Sequence, residues 1–210
     1  MIVNKVSTRY YGIMSEKVYL VHDLIERLGN LVRADVRAVC HTSGVRPVQL
    51  EALHYLTQCN RYSDTPQAVA EYLGLTKGTV SQTLKVLEEK GLLKKRSDPG
   101  DKRVVHLAPT ASGRRLVERI VPSDLLAMGI GKLSKSEQQA TVEVLRLLLS
   151  SVQKANNLRT FAQCYSCRFN QKIDDGYLCE LTQESLTEDD VVFICREHQF
   201  SERAATDIEV

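Results

Sequence analysis

Apolar positions recur at helical spacing in four long stretches of the chain, and the polar residues between them mark where each stretch starts and stops. From Ser15 to about Cys40 the stripe is Val18, Val21, Leu24, Ile25, Leu28, Leu31, Val32, Val36 and Val39. It predicts an amphipathic helix of roughly 25 residues, ~40 Å long at the standard rise. The stripe outruns what a small domain could cover, so the helix is either a core helix or one that meets a second subunit. A second helix runs from Pro47 to Thr57 with Val48, Leu50, Leu53 and Leu56 inward. Thr65 followed by Pro66 is a cap and a first-turn proline, opening a short helix that stops at Gly74. Thr76 caps the next, with Val80, Leu84 and Leu87 inward, Val86 beside them, and Gly91 at its end. Thr110 caps another through Gly113 that Pro122 interrupts, with Gly129 and Gly131 loosening its end. Ser134 and Glu137 form a capping-box pair before a helix carrying Val142, Val144, Leu145, Leu147, Leu148, Leu149 and Val152.

The polar side of the Thr76 helix changes the picture. It carries Lys77, Thr79, Ser81, Gln82, Thr83 and Lys85, with no acid before Glu88. Short hydrogen-bonding and cationic side chains suit a helix lying in a DNA major groove, where base edges and phosphates are the partners. Leu92-Leu93, the basic run Lys94-Lys95-Arg96, a turn at Asp98-Pro99-Gly100 and a return arm Lys102 to Leu107 follow. A basic hairpin directly after a polar-faced helix predicts a winged helix-turn-helix. Arg96, Lys102 and Arg103 join the helix residues as candidate DNA contacts.

Gly91-Leu92, Arg96, Asp98-Pro99, Asp101-Lys102-Arg103 and Thr110 to Gly113 resemble the signature of MarR-family transcriptional regulators. The resemblance extends more loosely from Ser15 to Leu158. Pro109 departs from it, standing where the family usually has leucine. The resemblance implies a homodimer, with base contacts from Thr79, Ser81, Gln82 and Lys85. It also implies a minor-groove insertion by the wing arginine, here Arg103, with Asp101 positioning it. Two recognition helices related by a twofold axis would enter successive major grooves and require a palindromic operator on double-stranded DNA.

Charge supports this placement. Thr76 to Arg115 holds ten Lys and Arg against four Asp and Glu, whereas Thr160 to the end holds four against eleven. The basic block coincides with the helix and hairpin. No apolar run approaches a membrane span, and the first residues carry no secretory pattern, so a cytoplasmic location is expected.

The six cysteines add a second chemistry. Cys164-x2-Cys167, Cys179 and Cys195-x2-His198 have knuckle spacing for Zn2+, the first choice, or for an iron–sulfur cluster. One ligand set is the four cysteines, with His198 just outside. The other is Cys164, Cys167, Cys195 and His198, with Cys179 spare. Cys40 and Cys59 are read as packing residues, and His22, His41, His54 and His106 receive no role.

The expected fold is mainly α with a small β-wing. It divides into an arm and dimerisation helix (1–45), a winged helix-turn-helix (46–113), dimerisation helices (114–159) and a metal-stabilised Cys-rich tail (160–210). The leading function is a homodimeric, sequence-specific regulator, a repressor, whose tail senses metal or redox state. One alternative is a regulator responding to a small effector, phenolic in many relatives as the resemblance implies, with only a structural zinc. A nucleic-acid-associated zinc protein without sequence choice is the alternative from another class. No nucleophile–base set, phosphate-binding loop or paired carboxylates points to an enzyme.

Overall fold

The computed structural model describes residues 16–155 and 159–200. The expected N-terminal arm and the helix start at Ser15 lie outside the described residues.

The helices fall where periodicity and caps put them. They are α1 (Glu16–Thr42), α2 (Pro47–Gln58), α3 (Pro66–Leu73), α4 (Lys77–Glu89), α5 (Ala111–Ile120), α6 (Asp124–Gly131) and α7 (Lys135–Ala155). The hydroxyls of Thr65, Thr76 and Thr110 each accept from the backbone N–H three residues on, satisfying a donor that the helix itself leaves open. Glu137 N donates to Ser134 Oγ, and Ser134 N to the Glu137 carboxylate, closing the expected box. Gly74 and Gly91 take left-handed backbone with φ of 64° and 66° at the ends of α3 and α4. Pro122 separates α5 from α6 after a cis Val121–Pro122 peptide. Gly129 and Gly131 fall in the last turn of α6, which ends at Gly131 as expected.

Strands β1 (Leu93–Ser97) and β2 (Val105–Pro109) pair antiparallel, Leu93 opposite Pro109 and Ser97 opposite Val105. Pro109 thus closes the second arm, at a strand end where a missing N–H costs least. The core gathers under this hairpin. Leu50, Leu53 and Tyr55 of α2, Val69 of α3, and Val80, Leu84 and Leu87 of α4 meet Leu93, Leu107, Val117 and Ile120. Helices α1, α6 and α7 bury little of their own surface: α1 buries only Cys40, and neither α6 nor α7 buries any residue.

The tail folds into small pieces: β3 (Ala162–Gln163), a 3-10 turn at Cys164–Ser166, β4 (Asn170–Ile173), β5 (Gly176–Cys179), β6 (Glu184–Leu186), α8 (Glu188–Val191) and β7 (Ile194–Cys195). Strands β4, β5 and β6 form one antiparallel sheet, and β3 pairs with β7. Its buried hydrophobic residues are Cys164, Leu186 and Val191, too few for an independent hydrophobic core. The tail leans on the winged helix instead. Phe161 sits edge-on to Tyr55 and Tyr72, and Asn60 N donates to Ile194 O at 2.9 Å.

Candidate DNA-binding surface

The period of α4 sorts its residues. Val80, Thr83, Leu84 and Leu87 point inward at steps of three and four, while Lys77, Thr79, Ser81, Gln82 and Lys85 are exposed. Thr83 is a correction to the sequence reading. Only 7% of its surface is exposed, on the core face, so it is not available to a duplex. The Thr79 hydroxyl lies 2.9 Å from that of the capping Thr76, which ties it to the helix start. Lys85 forms a loose surface pair with Glu89 at 3.8 Å, worth little and readily exchanged for a phosphate.

The wing stands beside this face. Lys95 of β1 pairs with Glu88 of α4 at 2.8 Å, linking hairpin to helix. In the turn the Asp98 carboxylate accepts from the N–H groups of Gly100 and Asp101 at 2.7 and 2.8 Å. Arg96 and Lys102 are exposed on the hairpin. Asp101 grips Arg103 through two parallel bonds, Nε to Oδ1 at 3.0 Å and Nη2 to Oδ2 at 2.9 Å. The Arg103 side chain is nevertheless 91% exposed, held out from the turn. The pairing keeps the Asp101 carboxyl below its ordinary range.

Sequence reasoning missed the support under the wing. His106 Nδ1 lies 2.6 Å from Asp64 Oδ1, and Nε2 lies 3.1 Å from Asp98 Oδ2. The bond to Asp64, helped by Asp98, raises the imidazole above its usual pKa. Burial pushes Asp64 up while the His106 bond pulls it back. At 2.6 Å the ionised pair is the favoured state, because a charged partner offsets the burial. Asp64 precedes the cap of α3, so this histidine ties the wing turn to the start of the helix-turn-helix.

Behind the surface, a cavity of 350 Å³ opens where α1, α2 and the α5–α6 junction meet. Val36, Leu50 and Leu126 give it apolar walls, and Arg33, Arg37 and His54 add polar groups.

In the tail, Cys164, Cys167, Cys179 and Cys195 all line one cavity of 30 Å³. His198 does not join them. Its Nδ1 lies 2.6 Å from the Thr160 hydroxyl and its Nε2 3.0 Å from that of Ser166, with 3% of the residue exposed. All six cysteines are thiols without a disulfide. Among the described residues no group of three or more His, Cys, Asp or Glu side chains stands arranged to hold a metal ion.

Comparison with known proteins agrees with the geometry of the helix and wing. Residues 43–104 match the MarR family model. The HTH-type transcriptional repressor NicR of Pseudomonas putida is 26% identical over 142 residues, spanning 64% of this chain and 89% of NicR. The S. aureus MepR–DNA complex superposes with a TM-score of 0.52 at 25% identity, covering 62% of this chain and 96% of MepR. CouR of Rhodococcus jostii, solved with p-coumaroyl-CoA, shares the fold with a TM-score of 0.51 at 24% identity, over 61% of this chain and 90% of CouR. No helix among the described residues is long and apolar enough to cross a membrane. The winged helix over residues 43–104 matches the MarR family model, and the chain is similar to MarR-type transcriptional regulators.

Proposed function

We propose that this protein is a cytoplasmic, homodimeric repressor that reads a palindromic operator in double-stranded DNA. One observation carries the reading: an exposed Lys77, Thr79, Ser81, Gln82 and Lys85 face on α4 lies beside a wing whose Arg103 is held outward by Asp101. The helix residues meet base edges and phosphates in the major groove, and Arg103 enters the adjacent minor groove. Lys102 and Arg96 contact the backbone, so they supply affinity and salt dependence but no sequence choice. NicR is a repressor and MepR was solved on DNA, which supports both the sign of regulation and the ligand.

Selection from a pool of randomised duplexes tests this. The protein should enrich an inverted repeat with half-sites about one helical turn apart. Arg103→Ala should weaken binding to the selected duplex by about 1–3 kcal/mol, roughly 5- to 150-fold in Kd. Equal affinity for selected and scrambled duplexes would favour a nucleic-acid-associated protein without sequence choice and overturn the regulator reading.

The 350 Å³ cavity supports a second layer, a small effector between the dimer lobe and the winged helix. Its apolar walls with Arg33 and Arg37 suit a phenolic acid, ring against Val36 and Leu50 and carboxylate toward the guanidiniums. Such a compound should release the selected duplex from wild type at concentrations that leave Arg37→Ala bound. Equal release from both proteins would move the effector elsewhere.

A further inference from the structure

The four tail cysteines reach their cavity from separate elements. Cys164 opens the 3-10 turn, and Cys167 closes it with its N–H on Cys164 O at 3.0 Å. Cys179 ends β5, and Cys195 ends β7. An amide side chain is aimed at one sulfur, with Asn170 Nδ2 donating to Cys164 Sγ at 3.4 Å, and Asn60 lines the same cavity. A neutral thiol is a weak acceptor, whereas a thiolate gains from such donors, as metal-bound sulfurs do. The four sulfurs share one small cavity of 30 Å³, which favours a single ion over a bulkier cluster of irons and sulfides. The sulfurs as they stand are not arranged as a metal site, so loading would have to draw them inward toward Zn–S distances of about 2.3 Å. His198, already engaged by Thr160 and Ser166, stays outside the set.

The residues flanking Cys195 are bonded to the loop between α2 and α3. Ile194 O accepts from Asn60 N, and Arg196 N donates to the buried Ser63 hydroxyl at 2.8 Å. The Asn60 carboxamide oxygen holds Tyr62 N and Ser63 Oγ at 3.2 and 2.7 Å. The Arg196 guanidinium clasps Glu71 of α3 through two bonds of 2.7 and 2.8 Å. One residue past Ser63, Asp64 O accepts from Leu107 N of β2 at 2.8 Å, and its carboxylate holds His106. The path from a cysteine sulfur to the base of the wing is therefore one short loop.

We propose that Cys164, Cys167, Cys179 and Cys195 bind one Zn2+, and that the loaded site, through residues 59–64, holds α3 and the wing in the arrangement that reads DNA. The coupling rests on the DNA-reading function proposed above; the metal site does not. Each thiol gives its proton to solvent as its sulfur takes the ion, and no electron is transferred.

Metal analysis of the full chain should give one zinc per chain, retained in Cys59→Ser and His198→Gln and lost in Cys167→Ser. Because Cys167→Ser can simply unfold, zinc-free wild type is also titrated with Co2+, expecting one-to-one binding with thiolate-to-cobalt charge-transfer absorption. Zinc-free protein that remains dimeric should bind the selected duplex at least tenfold more weakly, with recovery on adding Zn2+. Arg196→Ala should keep its zinc yet show the weakened binding. Iron with sulfide, or full zinc in folded Cys167→Ser, overturns the site. Equal DNA affinity with and without zinc overturns the coupling. If loaded wild type prefers no duplex, the regulator reading and the coupling both fail, while the metal count still decides the site.

Discussion

His106 is the residue whose role no local pattern announces. Its partners Asp64 and Asp98 lie 42 and 8 residues away in the chain, so only the fold brings them to the ring. Its raised pKa carries a stability consequence with a definite sign. A histidine titrating higher when folded stabilises fully below its unfolded pKa of about 6.5 and loses that contribution as pH rises through the folded value. The gap in urea midpoint between wild type and His106→Gln should be widest below about pH 6.5 and shrink at higher pH. Asp64→Asn should bring the imidazole back toward its usual pKa in an NMR titration. A gap that is flat with pH would remove the charged pair from the account. Thr83 gives the complementary lesson. Its letter reads as polar, but its place three residues after Val80 and four before Leu87 puts it on the inward stripe, and strict period counting would have excluded it from the DNA face.

At the scale of elements, caps and stops were the most legible features, because each is a local hydrogen bond or a local φ. Thr65, Thr76, Thr110 and Ser134 sit at the four helix starts expected of them, and Gly74 and Gly91 at the two stops. What stayed hidden was packing between elements distant in sequence. Gly113 read only as part of a motif, yet it lies where α5 meets the residue before the wing. A Cβ there would lie well inside contact distance of the Leu92 carbonyl oxygen and 3.4 Å from Leu53 Cδ2. Both are fixed: Leu92 O accepts from Thr110 N at 3.0 Å, and Leu53 is fully buried. Gly113→Ala should therefore destabilise the winged helix, by about 1–3 kcal/mol if the backbone yields as in other overpacked cores. Chemical denaturation measures it, and an unchanged midpoint would mean that α5 shifts without cost. The docking of the tail on the α2–α3 loop was equally invisible, since Asn60, Ser63 and Glu71 carry no signal that they await Ile194 and Arg196.

The whole molecule poses a burial problem that one chain does not solve. Leu20, Leu24, Leu28 and Leu31 on α1 and Val144, Leu145, Leu147 and Leu149 on α7 are all exposed, Leu28 at 56% and Val144 at 63%. Scattered apolar side chains on a surface need no explanation, but two long helices with unburied stripes do. In the proposed homodimer a second copy of the chain would supply matching stripes and bury both, and would also set two α4 helices on one side of a twofold axis. This was readable from periodicity, whereas the partner's identity came only from resemblance. The prediction separates assembly from folding. Leu28→Asp or Leu145→Asp changes a side chain that is exposed within a single chain, so the winged-helix core and its denaturation midpoint in the monomer should stand. Across a subunit interface the same carboxylate would be buried without a partner, which is costly enough to dissociate the dimer. Sedimentation equilibrium should then show wild type at twice the chain mass and both variants at one. Duplex binding should fall with the dimer, because a lone half-site forfeits the contacts of the other helix and wing. Wild type running as a monomer, or variants remaining dimeric with full affinity, would place the α1 and α7 stripes outside the interface and leave their exposure without its cause.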